Sequence, residues 1–321
     1  GRGPERSEKR PDRKLDGLSD LLGDLPIIDA HQHFWDLGAN YLPWLCDEPM
    51  IPFRYGDYSA LKRTYLPDDY RRDAAGFTIA GSVYVEAEWN PNDPLGETRW
   101  VSTLADTRGL PTAVVAQAWL HHDDAADVLA AQAAFPRVRG VRQKPQAATD
   151  PKSARRGAPA SMDDPTFREG FSKLQPLGLS YDLQTPWWHL DAALDLARDF
   201  PKTQIILNHT GLPADRSREG LARWRQAMRA LADAPNVALK ISGLGQPGLP
   251  WTVEANSPIV QDAIAIFGVD RCMFASNFPV DSLCADLSTI FSGFMEITAD
   301  LAIADRRRLF HDNARRIYRL T

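Results

Sequence analysis

"IIDAHQHFWD", residues 27–36, closes an apolar run with two histidines one residue apart. Extended backbone sends successive side chains to opposite faces, so the spacing predicts that Asp29, His31 and His33 share one face. An apolar run that ends in polar residues reads as a buried strand whose last residues meet something polar. Three uses of the histidine pair stay open at this point. It is half of a metal site, a catalytic pair working without metal, or two residues bonded to backbone at a strand end.

Seven further runs of the same character follow, at 78–89, 111–120, 137–143, 178–184, 203–211, 236–245 and 271–279. Amphipathic helical segments lie between them, among them 124–135, 190–200 and 220–234. Another, 257–268, places Ser257 as N-cap, Pro258 at the first helical position and Gly268 as the stop. Strands separated by helices imply right-handed crossovers and a parallel sheet. Eight such units predict a single-domain α/β fold, the (β/α)8 TIM barrel. No G-x-G-x-x-G follows the first strand, against a dinucleotide-binding fold. Two connections are long, 34–66 after the first strand and 144–163 after the fourth. Loops that follow strands sit at the catalytic face of a barrel, so either could cover a pocket there.

The 321 residues, 44% hydrophobic and 25% charged, suit a soluble globular enzyme. A net charge of −5 argues against a nucleic-acid partner, and no apolar run reaches the ~20 residues of a membrane span. The three cysteines, Cys46, Cys272 and Cys284, form no C-x-x-C pair, and a reducing cytoplasm is the expected location. Residues 1–24 are charged, with nothing to bury, and read as a flexible N-terminal arm. Residues 25–321 then hold the barrel. The expected partner is a small-molecule substrate, and a homo-oligomer is compatible with the composition.

Barrel closure gathers the strand ends around one axis. His31, His33, Glu86, Arg142, Asn208, His209, Lys240, Ser276 and Asn277 then become neighbours, with either Tyr181 or Asp182 pointing inward. A ring of polar groups ending apolar strands is costly unless it forms a site. Arg142 offers a fixed fork of donors for a planar anion or carbonyl, or for an ion pair with Glu86 or Asp182. Trp35 heads a loop rich in aromatics that suit a cyclic substrate.

The H-x-H of the first strand, His209 in "ILNHTG" and the strand-eight "ASNFPVD" together resemble the amidohydrolase superfamily of metal-dependent barrels. Its lactonase branch, acting on sugar-acid lactones and 2-pyrone-4,6-dicarboxylate, is similar also through "VEAEWNPNDPLGETRW", "RGVRQ" and "LFHDNARRIYRL". The resemblance spans residue 26 to the C-terminus and departs at strand eight, where Asn277 replaces the superfamily's aspartate. An amide is not a base, so Asp281, Glu86 and Asp182 are the alternative bases, with Asp281 nearest in sequence. The bridging lysine of binuclear members has no counterpart either.

The resemblance implies a hydrolase that opens a lactone of a sugar acid or related carboxylated ring. His31, His33, Arg142, His209, Asn277 and Asp281 form the catalytic set, and Glu86, Tyr181, Lys240 and Trp35 the substrate-binding set. His31, His33 and His209 would hold one divalent metal such as Zn, or would polarise the carbonyl with Arg142 and no metal. Both readings stay open, as do two other functions, a metal-dependent decarboxylase or lyase and a non-catalytic acid-binding barrel.

Overall fold

The computed structural model describes residues 25–321; the arm expected at 1–24 lies outside them. The eight expected strands are β1 (Pro26–Gln32), β2 (Thr78–Val85), β3 (Ala113–Gln117), β4 (Val138–Arg142), β5 (Ser180–Leu183), β6 (Ile205–Leu207), β7 (Val237–Ile241) and β8 (Cys272–Phe274). Each pairs in parallel with the next in chain order. The ring closes just beyond β8, where Asn277 N donates to His31 O at 2.9 Å and His33 N donates to Phe278 O at 2.8 Å. The C-terminal mouth is therefore closed by the residues that begin and end the strand set.

A barrel helix follows each strand: α1 (Pro67–Asp73), α2 (Pro94–Arg108), α3 (Ala125–Ala133), α4 (Pro165–Phe171), α5 (Leu190–Asp199), α6 (Arg218–Ala232), α7 (Val253–Phe267) and α8 (Leu287–Ile297), with short further helices at Pro43–Cys46, Ile303–Arg307 and Asn313–Ile317. Side-chain alternation divides the apolar residues into two layers. Val114, Leu183, Leu207, Leu239 and Phe274 face the helices. Ile28, Val83, Val115, Ile206 and Met273 fill the barrel, and Ile317 and Tyr318 of the C-terminal segment join them.

Two local expectations change. The helix α7 starts at Val253 because the Thr252 side chain caps it, accepting from Ala255 N at 3.1 Å. Pro258 therefore lies inside the helix, while Gly268 ends it as expected, with φ +86°. The pairing register of β1 also shifts between Asp29 and Gln32, so strict alternation fails there. Asp29 turns to α1, accepting from Tyr70 OH at 2.8 Å, and its other oxygen takes Ser276 N at 2.9 Å. His31 instead reaches Lys240 inside the barrel. Asp29 thus ties β1 to the segment after β8, and its Oδ1 also accepts from His31 N at 3.3 Å.

Of the two long loops, 34–66 covers the mouth. Its Trp35, Leu42 and Tyr58 form a small core with Ala87 and Val280, and Trp44 Nε1 donates to Ala87 O at 2.8 Å. Segment 144–163 folds back against α5, where Arg156 pairs with Asp163 at 2.8 Å and Asp195 at 2.6 Å. Among the described residues, no helix is long and apolar enough to cross a membrane.

Candidate active site

A cavity of about 330 Å³ opens at the C-terminal mouth of the barrel. Its polar wall comes from the strand ends, through His33, Glu88, Arg142, His209 and Asn277. Its apolar wall comes from the covering loop, through Trp35, Trp44 and Phe53. His209, Glu88 and Asn277 all adopt positive φ, at +54°, +55° and +54°. Such backbone costs about 1–3 kcal/mol per residue and persists where the surroundings hold it.

The histidine protonation states follow from their neighbours. His33 Nδ1 lies 2.6 Å from Val85 O, and only an N–H approaches a carbonyl oxygen so closely. Burial, then the Arg142 charge, push the His33 pKa down to about 3. His33 is therefore neutral, with its proton on Nδ1 and its lone pair on Nε2. Asn277 adjoins it as a hydrogen-bond partner for the protonated ring.

His31 has the opposite tautomer. Lys240 Nζ lies 3.2 Å from His31 Nδ1 and 2.5 Å from Asp182 Oδ2. Burial lowers the Lys240 pKa to about 8, against the pull of Asp182, so the ammonium persists at neutral pH and donates to His31. The His31 proton then sits on Nε2, a buried atom without a hydrogen-bond partner. Burial and the Lys240 charge hold the pKa of His31 well below the usual imidazole range. His209 is also held low, by burial and then by Arg54, and its Nδ1 lies 2.9 Å from Ser242 Oγ.

Beneath the cavity lies a buried charge network. Arg142 donates Nε to Glu86 Oε1 at 2.9 Å, Nη2 to Glu86 O at 2.8 Å, and Nη1 to Gln184 at 3.1 Å and Asn208 at 3.4 Å. These contacts occupy four of the guanidinium's five N–H groups. Asp182 takes Lys240, Asn208 Nδ2 at 2.9 Å and Tyr318 OH at 2.8 Å. Single buried charges would be prohibitive here, and the paired network satisfies each one.

Asp281 is buried behind Asn277 and does not line the cavity. Its Oδ1 accepts from Asn277 Nδ2 at 2.8 Å, which leaves the Asn277 carbonyl oxygen free toward His33. Burial raises the Asp281 pKa to about 6, against the Arg54 charge. A carboxyl raised above its unfolded value binds a proton more readily in the folded state. Its contribution to stability is present at low pH and is lost as pH rises through about 6. This group is therefore expected to lower the melting temperature as pH rises from ~4 to ~6, and Asp281→Asn to lose that part of the slope. Thermal melts of both proteins across this range check it.

The sequence-derived candidates separate into three groups. His33, Trp35, Arg142, His209 and Asn277 line the cavity together. His31, Glu86, Lys240 and Asp281 lie behind that wall and hold it in place. Glu86 and Lys240, expected in the substrate-binding set, do not line the cavity and are paired with Arg142 and Asp182. Tyr181 points the other way, since Asp182 is the inward residue of that pair. The Tyr181 phenol packs on Phe167 and Phe171 and donates to Gln143 O at 2.5 Å. Arg54 and Gln184 were not foreseen, because Arg54 arrives on the covering loop and Gln184 lies just past β5. No motif marks either position.

A single metal on His31, His33 and His209 was the open expectation, and the ring centroids lie close enough to suggest it, 4.5 Å for His31–His209 and 5.1 Å for His31–His33. The donors do not fit it as arranged. Among the described residues, no group of three or more His, Cys, Asp or Glu side chains is placed to hold a metal ion. To hold a metal through its remaining ring nitrogen, His31 would have to move its Nε2 proton to Nδ1, against the Lys240 ammonium. The neighbouring carboxylates Asp182 and Glu86 are bound to Lys240 and Arg142.

The amidohydrolase family pattern matches residues 28–320. The uncharacterized protein y4mH of Sinorhizobium fredii is 44% identical over 299 residues, covering 93% of this chain and 100% of that one. An L-fucono-1,5-lactonase of Burkholderia multivorans is 30% identical over 305 residues, covering 91% of this chain and 96% of its own. An amidohydrolase structure from Burkholderia multivorans with bound Zn superposes with a TM-score of 0.76 at 28% identity, covering 92% of this chain and 99% of that one. With the family pattern matched over nearly the whole described length, the chain belongs to the amidohydrolase family.

Proposed function

We propose that the protein hydrolyses a lactone, opening a cyclic ester by attack of water on its carbonyl. The observation that carries this reading is the locked tautomer of His33. Its Nδ1–H is spent on Val85 O, so Nε2 offers a lone pair within the wall that also carries Arg142. Similarity to L-fucono-1,5-lactonases supports the ester class.

The steps balance with this chain's own groups. Water gives a proton to His33 Nε2 while its oxygen adds to the carbonyl carbon. The carbonyl electrons move onto oxygen, facing the one uncommitted N–H of Arg142. The imidazolium formed donates to the Asn277 carbonyl oxygen, which Asp281 has aimed by holding the amide nitrogen. Collapse of the intermediate breaks the ring C–O bond, and the departing alkoxide takes the proton back from His33. The base is weak, because its pKa is about 3. Negative charge developing beside it raises its basicity where the reaction needs it. Its advantage is that the free-base form is fully populated at neutral pH.

The test is a pH-indicator screen of aldono-1,5-lactones and pyrone carboxylates on protein of measured metal content, before and after dialysis against a chelator. Turnover is expected on at least one lactone, and to change by less than about twofold on dialysis. No turnover on any lactone overturns the function. Activity lost to chelator and regained with Zn overturns the metal-free route.

A further inference from the structure

We propose that the active-site cavity continues past Arg54 into a second chamber, which receives an apolar ring carried by the substrate. The proposal rests on the lactonase reading and deepens it by naming a class of lactone. The second chamber measures about 180 Å³ and is walled by Tyr55, Pro186, Trp188, Leu212 and Pro213. Apolar cavities of about 150 Å³ accept a benzene-sized ring, so one six-membered ring matches its size and its walls.

Three chain segments build both spaces. Arg54 lines each of them. The segment after β5 sends Gln184 to the main cavity, then Pro186 and Trp188 to the second. The turn after β6 sends His209 to the main cavity and Leu212 and Pro213 to the second. That turn is strained, with φ of +54° at His209, +58° at Thr210 and +56° at Leu212. It is held by Trp224 Nε1 donating to Thr210 O at 2.8 Å and Thr210 Oγ1 donating to Ser242 O at 3.0 Å. One strained turn therefore presents a catalytic-wall histidine on one side and an apolar wall on the other.

The two arginines at the chamber differ in freedom. Arg216 is committed to structure, donating to Pro213 O at 2.8 Å, Leu244 O at 2.9 Å and Asn256 Oδ1 at 3.2 Å. Arg54 is exposed and lies over the Tyr55 ring at 4.2 Å. Its one hydrogen bond among the described residues goes to Gly243 O at 3.1 Å, and it makes no ion pair there. It stands at the joint with donors to spare, placed for an oxygen atom between the lactone and the second ring. The small Gly243 beneath it is required, because a Cβ there would meet Arg54 Nη2 at 2.7 Å and His209 Cβ at 2.9 Å.

The experiment compares δ-valerolactone with 6-phenyl-δ-valerolactone on the wild type, Trp188→Ala and Ala214→Phe. Ala214 is exposed at the chamber rim, so a phenylalanine there fills the space without burdening the core. The wild type is expected to favour the phenyl lactone in kcat/KM by about tenfold or more, the order that burial of one ring supplies. Both variants should erase that preference by slowing the phenyl lactone far more than the parent. Absence of a preference, or equal effects on the two lactones, overturns the second chamber. Turnover of neither lactone counts against the lactonase reading alone. Calorimetric binding of 5-hydroxypentanoate and 5-hydroxy-5-phenylpentanoate then decides the chamber. Tighter binding of the phenyl acid by about tenfold, lost in Ala214→Phe, upholds it. Equal binding of the two acids overturns it.

Discussion

Replacing His33 by asparagine is expected to lower kcat by about 10²–10⁴, the range supplied by a positioned general base. Asparagine carries its amide N–H the same number of bonds from Cα as Nδ1, so the strand-end hydrogen bond that fixes His33 at 2.6 Å keeps a donor. It has no titratable lone pair to accept the proton of water. The loss should therefore fall on turnover while the melting temperature stays close to that of the parent. Steady-state kinetics on the lactone found by screening, beside a thermal melt, give both readings. Activity within tenfold of the parent would move the base elsewhere, with His209, the other imidazole in the cavity wall, next in line.

Arg142→Met is expected to act twice. The guanidinium is the buried partner of Glu86, whose side chain is 2% exposed. Removing one member of a buried ion pair leaves an uncompensated charge and costs about 3–5 kcal/mol. For a domain of this size that corresponds to a fall of roughly 10 °C in melting temperature. The same change removes the donor facing the developing oxyanion, a loss of about 10²–10³ in kcat. A second substitution separates the two effects. Arg142→Met with Glu86→Gln removes the stranded charge and should regain most of the stability, yet none of the activity. Recovery of both would show that Arg142 acts on the reaction only by holding the fold.

The limits of sequence reading are visible in single residues. Tyr181 and Asp182 are adjacent on one strand, and alternation requires that they face opposite sides without saying which faces in. The pairing register of β5 with its neighbours decides it, sending Asp182 to Lys240 and Tyr181 to the helix layer. Asp29 was grouped with His31 and His33 by period-two spacing, and a register shift inside β1 broke the grouping. Arg54 carried no signal, since a covering loop delivers it from a segment without periodicity.

Strand and helix periods depend on residues close in sequence, so eight alternating units, the barrel and the gathering of His33, Arg142, His209 and Asn277 at its mouth were determined by the chain alone. The chemistry of those groups depends on atoms brought from far along the chain. Val85 O sets the tautomer of His33, Lys240 sets that of His31 across 209 positions, and Asp281 aims Asn277. Once buried, each contact acts in a medium that screens charge poorly, so a hydrogen bond of about 3 Å decides which nitrogen holds a proton. Only the folded structure supplies those distances, and they turn two histidines of the same motif into an acceptor and a donor.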